Sequence, residues 1–204
     1  MRWYFFRLPA LCAVAALLDL DAYRVGQWML SRPIVLGPLL GGCLGKFGVG
    51  TWVGGTLELL TLDDLPIGHC VPLNSAVAVA STLLLFAGKP RVELAAAFPA
   101  GLLLGLLFRQ IEIALRSRCH YLVQEADLAI DRGRAPSGWL IARGICTHAA
   151  ASACFLYVGI VVAGPVLASG WSFLPFKFRT ALDLALQGAP WLGLTTLLYV
   201  FRLR

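Results

Sequence analysis

Long apolar runs, with few polar interruptions, dominate the pattern of the chain. Residues 71–88 and 144–170 contain no Asp, Glu, Lys or Arg, and residues 94–108 and 184–201 form two further runs without charge. A helix of about 20 residues crosses the hydrocarbon core of a bilayer, so the longest of these runs can span a membrane. The pattern therefore predicts an all-α fold, a polytopic integral membrane bundle.

Two shorter apolar runs predict broken or re-entrant helices within that bundle. Residues 33–45 and 47–57 flank Lys46 and stop before Glu58. Runs of about 10 to 14 residues are too short to cross alone. Glycine recurs at every fourth position, which gives a helix face of bare backbone that a neighbouring helix can approach closely: Gly37, Gly41 and Gly45, then Gly50 and Gly54. Broken helices at membrane depth are tolerated when they are buried in protein or line a hydrated cavity, so we expect a cavity here.

The amino terminus resembles a secretory signal peptide in one respect, because two arginines flank the start of the apolar run 8–18. Pro9 interrupts that run, and it leads into Asp19 and Asp21 instead of a small-residue cleavage site. We therefore predict a retained first membrane helix.

A polar region follows the run 94–108. Residues 109–143 contain six arginines and four carboxylates. Apolar residues within it recur at helical spacing, which predicts that the membrane helix continues as an amphipathic helix and ends near Gly133 and Pro136: Ile111, Leu115, Leu122, Ala126 and Ile130. Because arginine-rich segments stay on the cytoplasmic side, we predict one membrane domain over 1–204 with a cytoplasmic helical extension at about 109–135.

Composition supports the membrane assignment and excludes other classes. Hydrophobic residues make up 59% of the 204 residues and charged residues 14%, whereas soluble domains are about half apolar and a quarter charged. This excludes a disordered chain, a secreted disulfide scaffold and a conventional cytosolic enzyme. The net charge of +6 comes mostly from basic residues that flank apolar runs, which indicates topology and not nucleic-acid binding.

The cysteines and histidines do not predict a metal site. The six cysteines form no CxxC pair, and the three histidines lack metal-ligand spacing. No GxSxG, HExxH, Walker A or GxGxxG motif occurs either. We expect no metal, no cofactor and no autonomous catalytic site.

Glu58 is the strongest candidate for chemistry. It lies between Leu57 and Leu59 in an apolar region, and an ionisable residue at membrane depth is a functional-site hypothesis by default. The structural alternative is that Glu58 pairs with Arg32 or Arg24 only to hold the bundle together.

Further polar residues lie near Glu58 along the sequence and suit a hydroxyl-rich solute. Carboxylates accept hydrogen bonds from hydroxyl groups, and amides both donate and accept. Trp28 and Trp52 offer an apolar face for a sugar ring. Thr61 and Asp63 belong to the same polar set. The predicted solute contacts are Glu58, Thr56, Asp64, Asn74 and Gln27.

Spaced blocks across this region resemble a known family. They are the segment 27–33 (QWMLSRP), 37–39 (GPL), 44–45 (LG), 54–59 (GGTLEL), 65–68 (LPIG) and 71–74 (VPLN). In this order they resemble the IIC membrane subunit of mannose/fructose/sorbose-type phosphotransferase systems. Residues 94–134 are similar to the helix and charged extension that follow in that family.

The resemblance implies a sugar permease of the bacterial inner membrane that recognises a hexose-like sugar. It implies an oligomeric assembly with a IID membrane subunit and with cytoplasmic IIA and IIB phosphocarriers. In that family the phosphate is carried by histidines of the soluble subunits, so no histidine of this chain needs to be a phosphoacceptor.

Departures from the family pattern keep alternatives open. Lys46 stands where the family has Asp, residues 68–70 read Gly-His-Cys instead of Gly-Ala-Ala, and family members normally continue past position 204. These departures favour a non-transporting regulatory or assembly component. A third interpretation is an intramembrane enzyme built around Glu58, Asp63 and Asp64.

Overall fold

A computed structural model describes residues 2–22, 25–62, 71–135 and 137–202 of the chain. These residues form seven α-helices, and a five-residue π-helical turn, Trp3–Arg7, leads into the first. The helices are α1 (Leu8–Leu20), α2 (Pro33–Cys43), α3 (Phe47–Leu60), α4 (Ser75–Ala87), α5 (Leu94–Asp131), α6 (Gly138–Phe173) and α7 (Phe176–Arg202). The predicted all-α membrane fold is confirmed.

Three helical stretches in the described ranges are long and apolar enough to cross a membrane: Trp3–Leu20, Leu94–Asp131 and Gly138–Phe173. The predicted runs 94–108 and 144–170 lie within the last two. Pro165 lies inside α6, which continues to Phe173, so the run 144–170 forms one uninterrupted helix. The predicted run 184–201 falls on α7, which is not one of the three.

Helices α2 and α3 form the broken pair that the glycine spacing predicts. They contain 11 and 14 residues, or about 16 and 21 Å at 1.5 Å per residue, and a bilayer core is about 30 Å thick. A Cβ atom added to Gly41 would lie 2.8 Å from the Cα atom of Gly50, so the two backbones are in close contact. Gly45 instead occupies the turn between them, with a φ of +68°.

Helix α4 is the centre of the bundle. Every residue from position 76 to position 85 is buried, and α1, α2, α3, α5 and α6 all contact this helix. Two glycines of α5 allow one of these contacts, because a Cβ atom on Gly105 would lie 2.9 Å from the carbonyl oxygen of Asn74. A Cβ atom on Gly101 would lie 2.7 Å from the carbonyl oxygen of Ala78.

Helix α5 is a continuous 38-residue helix, as the pattern of residues 109–131 predicts. It ends at Asp131, and Gly133 follows with a φ of +69° and donates to the carbonyl of Ile130. Leu115 is buried, whereas Ile130 is 57% exposed. The predicted apolar face is therefore buried only near the bundle, and the C-terminal part of α5 is exposed.

Candidate functional site

A polar cavity of about 510 Å³ lies where the end of α1, the end of α3 and the start of α4 meet. Its size falls within the range of about 300 to 1,000 Å³ that is typical of small-molecule sites. Its polar lining residues are Asp19, Asp21, Gln27, Ser31, Arg32, Glu58, Thr61, Asn74 and Ser75.

Glu58 and Arg32 form an ion pair at this cavity. Arg32 Nη1 donates to Glu58 Oε1 at 2.7 Å, and the backbone N–H of Ile34 points at the second carboxylate oxygen over 3.4 Å. The side chain of Glu58 is 15% exposed and that of Arg32 is 53% exposed. The predicted pairing with Arg32 is thus present, and the pair lines a cavity. Arg24, the other arginine considered, lies outside the described residues.

The packing of α2 on α3 explains why these two side chains meet. Gly54 of α3 lies against Pro33 of α2, since a Cβ atom on Gly54 would overlap the Pro33 carbonyl oxygen. Arg32 directly precedes Pro33, and Glu58 follows Gly54 by about one helical turn. The close backbone approach therefore places Glu58 beside Arg32.

Asp19, at the end of α1, is a second acid in the lining of the cavity. It is 2% exposed. Its Oδ1 accepts from Asn74 Nδ2 at 3.0 Å, and its Oδ2 accepts from Ser152 Oγ at 3.0 Å. His148 Nε2 lies 3.2 Å from the same Oδ2. Asn74 caps α4 by accepting from the backbone N–H of Val77 at 2.9 Å, so this network joins α1, α4 and α6.

Asp21 organises the segment that follows α1. Its two carboxylate oxygens accept from the backbone N–H groups of Trp28 at 2.8 Å and of Leu30 at 2.6 Å. Gln27, directly before the first of these two anchored residues, and Met29, between them, have φ values of 56° and 63°. Side chains other than glycine rarely adopt this left-handed conformation, which persists where surrounding contacts enforce it. Asp21 therefore holds Gln27 at the cavity.

The structure brings three of the five predicted solute contacts to one cavity: Gln27, Glu58 and Asn74. Thr56 is buried and does not line it, because a residue two positions before Glu58 points to the opposite side of the helix. A role for Thr56 stays a prediction that this cavity does not support. Asp64, together with Asp63, lies outside the described residues.

The two predicted aromatic contacts lie elsewhere. Trp28 is 77% exposed and Trp52 packs edge-on against Phe98 at 6.3 Å between ring centroids. Neither belongs to the lining that the described residues give this cavity.

Sequence reasoning missed Asp19 and Asp21 as site residues. A usable signal existed for Asp19, because an ionisable residue at the end of a membrane helix is itself a functional-site hypothesis. His148 lies inside the apolar run 144–170 and carries the same signal, whereas Ser152 carries none. They contact Asp19 across 129 and 133 positions of the chain, and no local spacing indicates such a contact.

The described part of the lining carries groups that can hydrogen-bond to hydroxyl groups. It contains three carboxylates, of Asp19, Asp21 and Glu58, one guanidinium group, of Arg32, and two amides. Carboxylates accept from hydroxyl groups, and guanidinium and amide groups donate to them. Within the described ranges, no group of three His, Cys, Asp or Glu residues is arranged to hold a metal ion.

Comparison with known proteins agrees with the resemblance. The chain is 33% identical over 113 residues to the mannose-specific EIIC component of Escherichia coli K12, an alignment that covers 52% of this chain and 40% of that protein. It is 33% identical over 116 residues to the putative N-acetylgalactosamine permease IIC component 2 of the same strain, covering 54% and 86%.

Two solved structures share the fold. One, described only as a membrane protein, has a TM-score of 0.79 at 19% identity and covers 96% of this chain and 80% of its own. The cryo-EM structure of the mannose transporter ManYZ in complex with microcin E492 has a TM-score of 0.61 at 17% identity, covering 99% and 80%.

The family assignment depends on the sequence itself. The model of the family EII-Sor matches residues 6–202, nearly the whole chain. This match agrees with the motif blocks of the region 27–74 and with the broken helix pair that those blocks form. The chain therefore belongs to the family of sorbose-specific IIC components of the phosphotransferase system.

Proposed function

We propose that this chain is the sugar-translocating IIC membrane subunit of a mannose-family phosphotransferase system. It binds a hexose-like sugar in the polar cavity and passes it to cytoplasmic phosphorylating subunits. The observation that carries the proposal is the Arg32–Glu58 ion pair, which lines a cavity of about 510 Å³ beside two helices too short to span the membrane.

The cavity offers a sugar both kinds of hydrogen-bond partner. A sugar that leaves water loses hydrogen bonds from every hydroxyl group, and each must be replaced inside the protein. Glu58 accepts such bonds, and the free N–H groups of Arg32 and the amide of Gln27 donate them. Arg32 is more than half exposed, so its guanidinium can turn toward a ligand at a small cost.

In this proposal, the short helices α2 and α3 are the part of the bundle that moves during transport. In many carriers the solute is bound near the middle of the bilayer by helices that end there, and access alternates as one group of helices moves against another. The glycine contacts make α2 and α3 a close pair. In our proposal this pair moves as one body and carries Glu58 with it.

The remaining parts of the proposal concern partners and location. We propose that the chain lies in the bacterial inner membrane as part of an oligomer. A IID membrane subunit lies beside it, and IIA and IIB bind on the cytoplasmic face. The ManYZ mannose transporter, whose fold this chain shares, supports a second membrane subunit. The region 109–134, which contains five arginines and includes the exposed second half of α5, supports a cytoplasmic docking face.

Reconstitution tests the function as a whole. The chain is placed in proteoliposomes with its IID subunit, phosphorylated IIA and IIB are enclosed inside, and labelled hexoses are supplied outside. We expect sugar-dependent phosphate transfer and accumulation of sugar phosphate inside. Vesicles that lack this chain but contain every other component are the control. Equal phosphate transfer with and without the chain would contradict the proposal and favour an assembly role.

A further inference from the structure

We propose that Asp19 and Asn74 form a donor–acceptor pair that recognises a single hydroxyl group of the bound sugar, and that His148 and Ser152 position Asp19 for this task. The inference rests on the proposed function of the cavity. It adds a specificity determinant to the cavity that Arg32 and Glu58 also line.

The carboxylate of Asp19 has one acceptor position left. Each carboxylate oxygen can accept two hydrogen bonds. Oδ2 is occupied by Ser152 and His148, while Oδ1 receives one bond, from Asn74, among the described residues. Asp19 lines the cavity although it is almost fully buried, so the remaining position of Oδ1 is available to a molecule inside the cavity.

The amide of Asn74 has one donor left. Its Oδ1 accepts from the backbone N–H of Val77, and this cap fixes which side of the amide faces Asp19. One of the two hydrogens on Nδ2 points to Asp19 Oδ1 over 3.0 Å. The second hydrogen has no partner among the described residues, and Asn74 also lines the cavity.

An acceptor and a donor therefore lie 3.0 Å apart at the cavity wall. A hydroxyl group both donates and accepts. A sugar hydroxyl can donate to Asp19 Oδ1 while it accepts from Asn74 Nδ2. A sugar that lacks this hydroxyl leaves both buried groups without a partner, which is the strongest way for a polar site to reject an analogue.

Two residues of α6 hold Asp19 in the required orientation. His148 and Ser152 are buried and one helical turn apart, and both approach Oδ2. An ionised carboxylate only accepts, so His148 donates through Nε2. The ring of Phe108 packs edge-on against the imidazole at 6.4 Å between centroids. Because Oδ2 is bound by these two residues of α6, Oδ1 stays directed toward Asn74 and the cavity.

Binding of deoxy sugars tests the pair. The full chain, purified with its IID subunit in lipid nanodiscs, is titrated with its best hexose and with each monodeoxy analogue of that hexose. In the wild-type protein we expect one analogue to bind roughly 10- to 100-fold more weakly than the parent, the range for a hydrogen bond to a charged group. In Asp19→Asn, which keeps the shape, we expect the parent to weaken to the level of that analogue.

The positioning role has its own matched variants on α6. Ser152→Ala removes one donor to Oδ2 and should reduce the discrimination against that same analogue. Ser169→Ala is the control on the same helix, because the Ser169 hydroxyl bonds only carbonyls of α6. His148→Leu should also reduce the discrimination, and His148→Gln, which retains a donor, should restore most of it.

The outcomes separate this inference from the proposed function. Equal weakening of all the sugars by Asp19→Asn, or unchanged discrimination, would overturn the hydroxyl-recognition pair while sugar binding stands. If the Asp19→Asn variant does not insert into the membrane, the same two outcomes are judged with the Ser152→Ala variant. A wild-type protein that binds no hexose would overturn the proposed function, and this inference with it.

Discussion

Glu58 and Asp19 line the same cavity, yet they are held in different ways. Glu58 belongs to a broken helix and depends on one strong contact, an ion pair with an arginine that is more than half exposed. Asp19 ends a longer helical stretch and contacts side chains of α4 and α6 at 3.0 to 3.2 Å. Among the described residues, Glu58 has one adjustable side-chain partner, whereas Asp19 has three buried side-chain partners.

The difference separates two tasks within one site. An ion pair with an exposed partner contributes only about 0 to 1 kcal/mol, so a ligand can rearrange it without loosening the bundle. A buried network whose members satisfy one another is rigid and costly to disturb. We therefore expect changes at Glu58 to alter mainly ligand binding, and changes at Asp19 to alter stability as well.

Asp19→Ala should have the largest effect on stability. It leaves three buried donors, on Asn74, His148 and Ser152, without their acceptor. Each unsatisfied buried group costs about 1 to 3 kcal/mol, and because these costs are not additive we expect a total loss of about 3 to 5 kcal/mol. Denaturant unfolding of the purified protein in detergent measures it.

The matched control for this change is Asp127→Ala, at an exposed position of α5. It should leave the unfolding free energy within about 0.5 kcal/mol of wild type. If Asp19→Ala lowered the unfolding free energy no more than Asp127→Ala, Asp19 would not be held more rigidly than Glu58.

Glu58→Gln should have the largest effect on binding. It keeps the shape of the side chain but removes the charge that holds Arg32 and accepts from the sugar. We expect sugar affinity to fall by on the order of 100-fold, or about 2.7 kcal/mol. The unfolding free energy should change by less than about 1 kcal/mol, because the partner is exposed.

Equilibrium titration of the inserted protein checks this prediction. Glu125→Gln is the control, since Glu125 lies in an exposed pair with Arg143 at 4.0 Å, on the extension of α5. Unchanged sugar affinity in Glu58→Gln would remove Glu58 from the site and leave Asp19 as the binding acid.

Gly54→Ala tests how the Glu58 side is assembled. A Cβ atom at Gly54 would overlap the carbonyl oxygen of Pro33, whereas one at Gly55 would meet nothing within 4 Å. We expect Gly54→Ala to destabilise the protein by about 1 to 3 kcal/mol and to weaken sugar binding, because α2 and α3 must separate. Gly55→Ala should be neutral or stabilising by up to about 1 kcal/mol. Equal unfolding midpoints for the two variants would contradict the close approach.

Much of this side of the site could be predicted from the sequence because its causes are local. The four-residue glycine spacing predicted the close contact of α2 with α3, and the apolar surroundings of Glu58 marked it as a site residue. Arg32 and Glu58 meet because short helices joined by a tight turn bring their outer ends together. Gln27 and Asn74 were found because they are polar residues near that hairpin in sequence.

The Asp19 side could not be predicted in the same way, because its contacts are distant in sequence. His148 and Ser152 reach Asp19 only after α1, α4 and α6 have packed, and helix packing among apolar faces leaves little periodic signal to fix which residues meet. Thr56 shows the limit of proximity in sequence. It is near Glu58 in sequence, but two positions along a helix amount to about 200° of rotation, which turns its side chain away from the cavity.

Replacing Arg32 should have the smallest effects and decides what the ion pair contributes. Arg32→Lys keeps a positive charge near Glu58, so the unfolding free energy should stay within about 0.5 kcal/mol of wild type and sugar affinity should fall only about threefold. Arg32→Gln removes the charge and should lower affinity about tenfold.

The paired titrations measure whether charge or the geometry of the guanidinium matters, and Arg143→Gln, in the exposed pair with Glu125, controls for net charge. If Arg32→Lys were as damaging as Arg32→Gln, the site would need the several fixed N–H groups of arginine. Glu58 would then resemble Asp19, as an acid whose partners must keep one geometry.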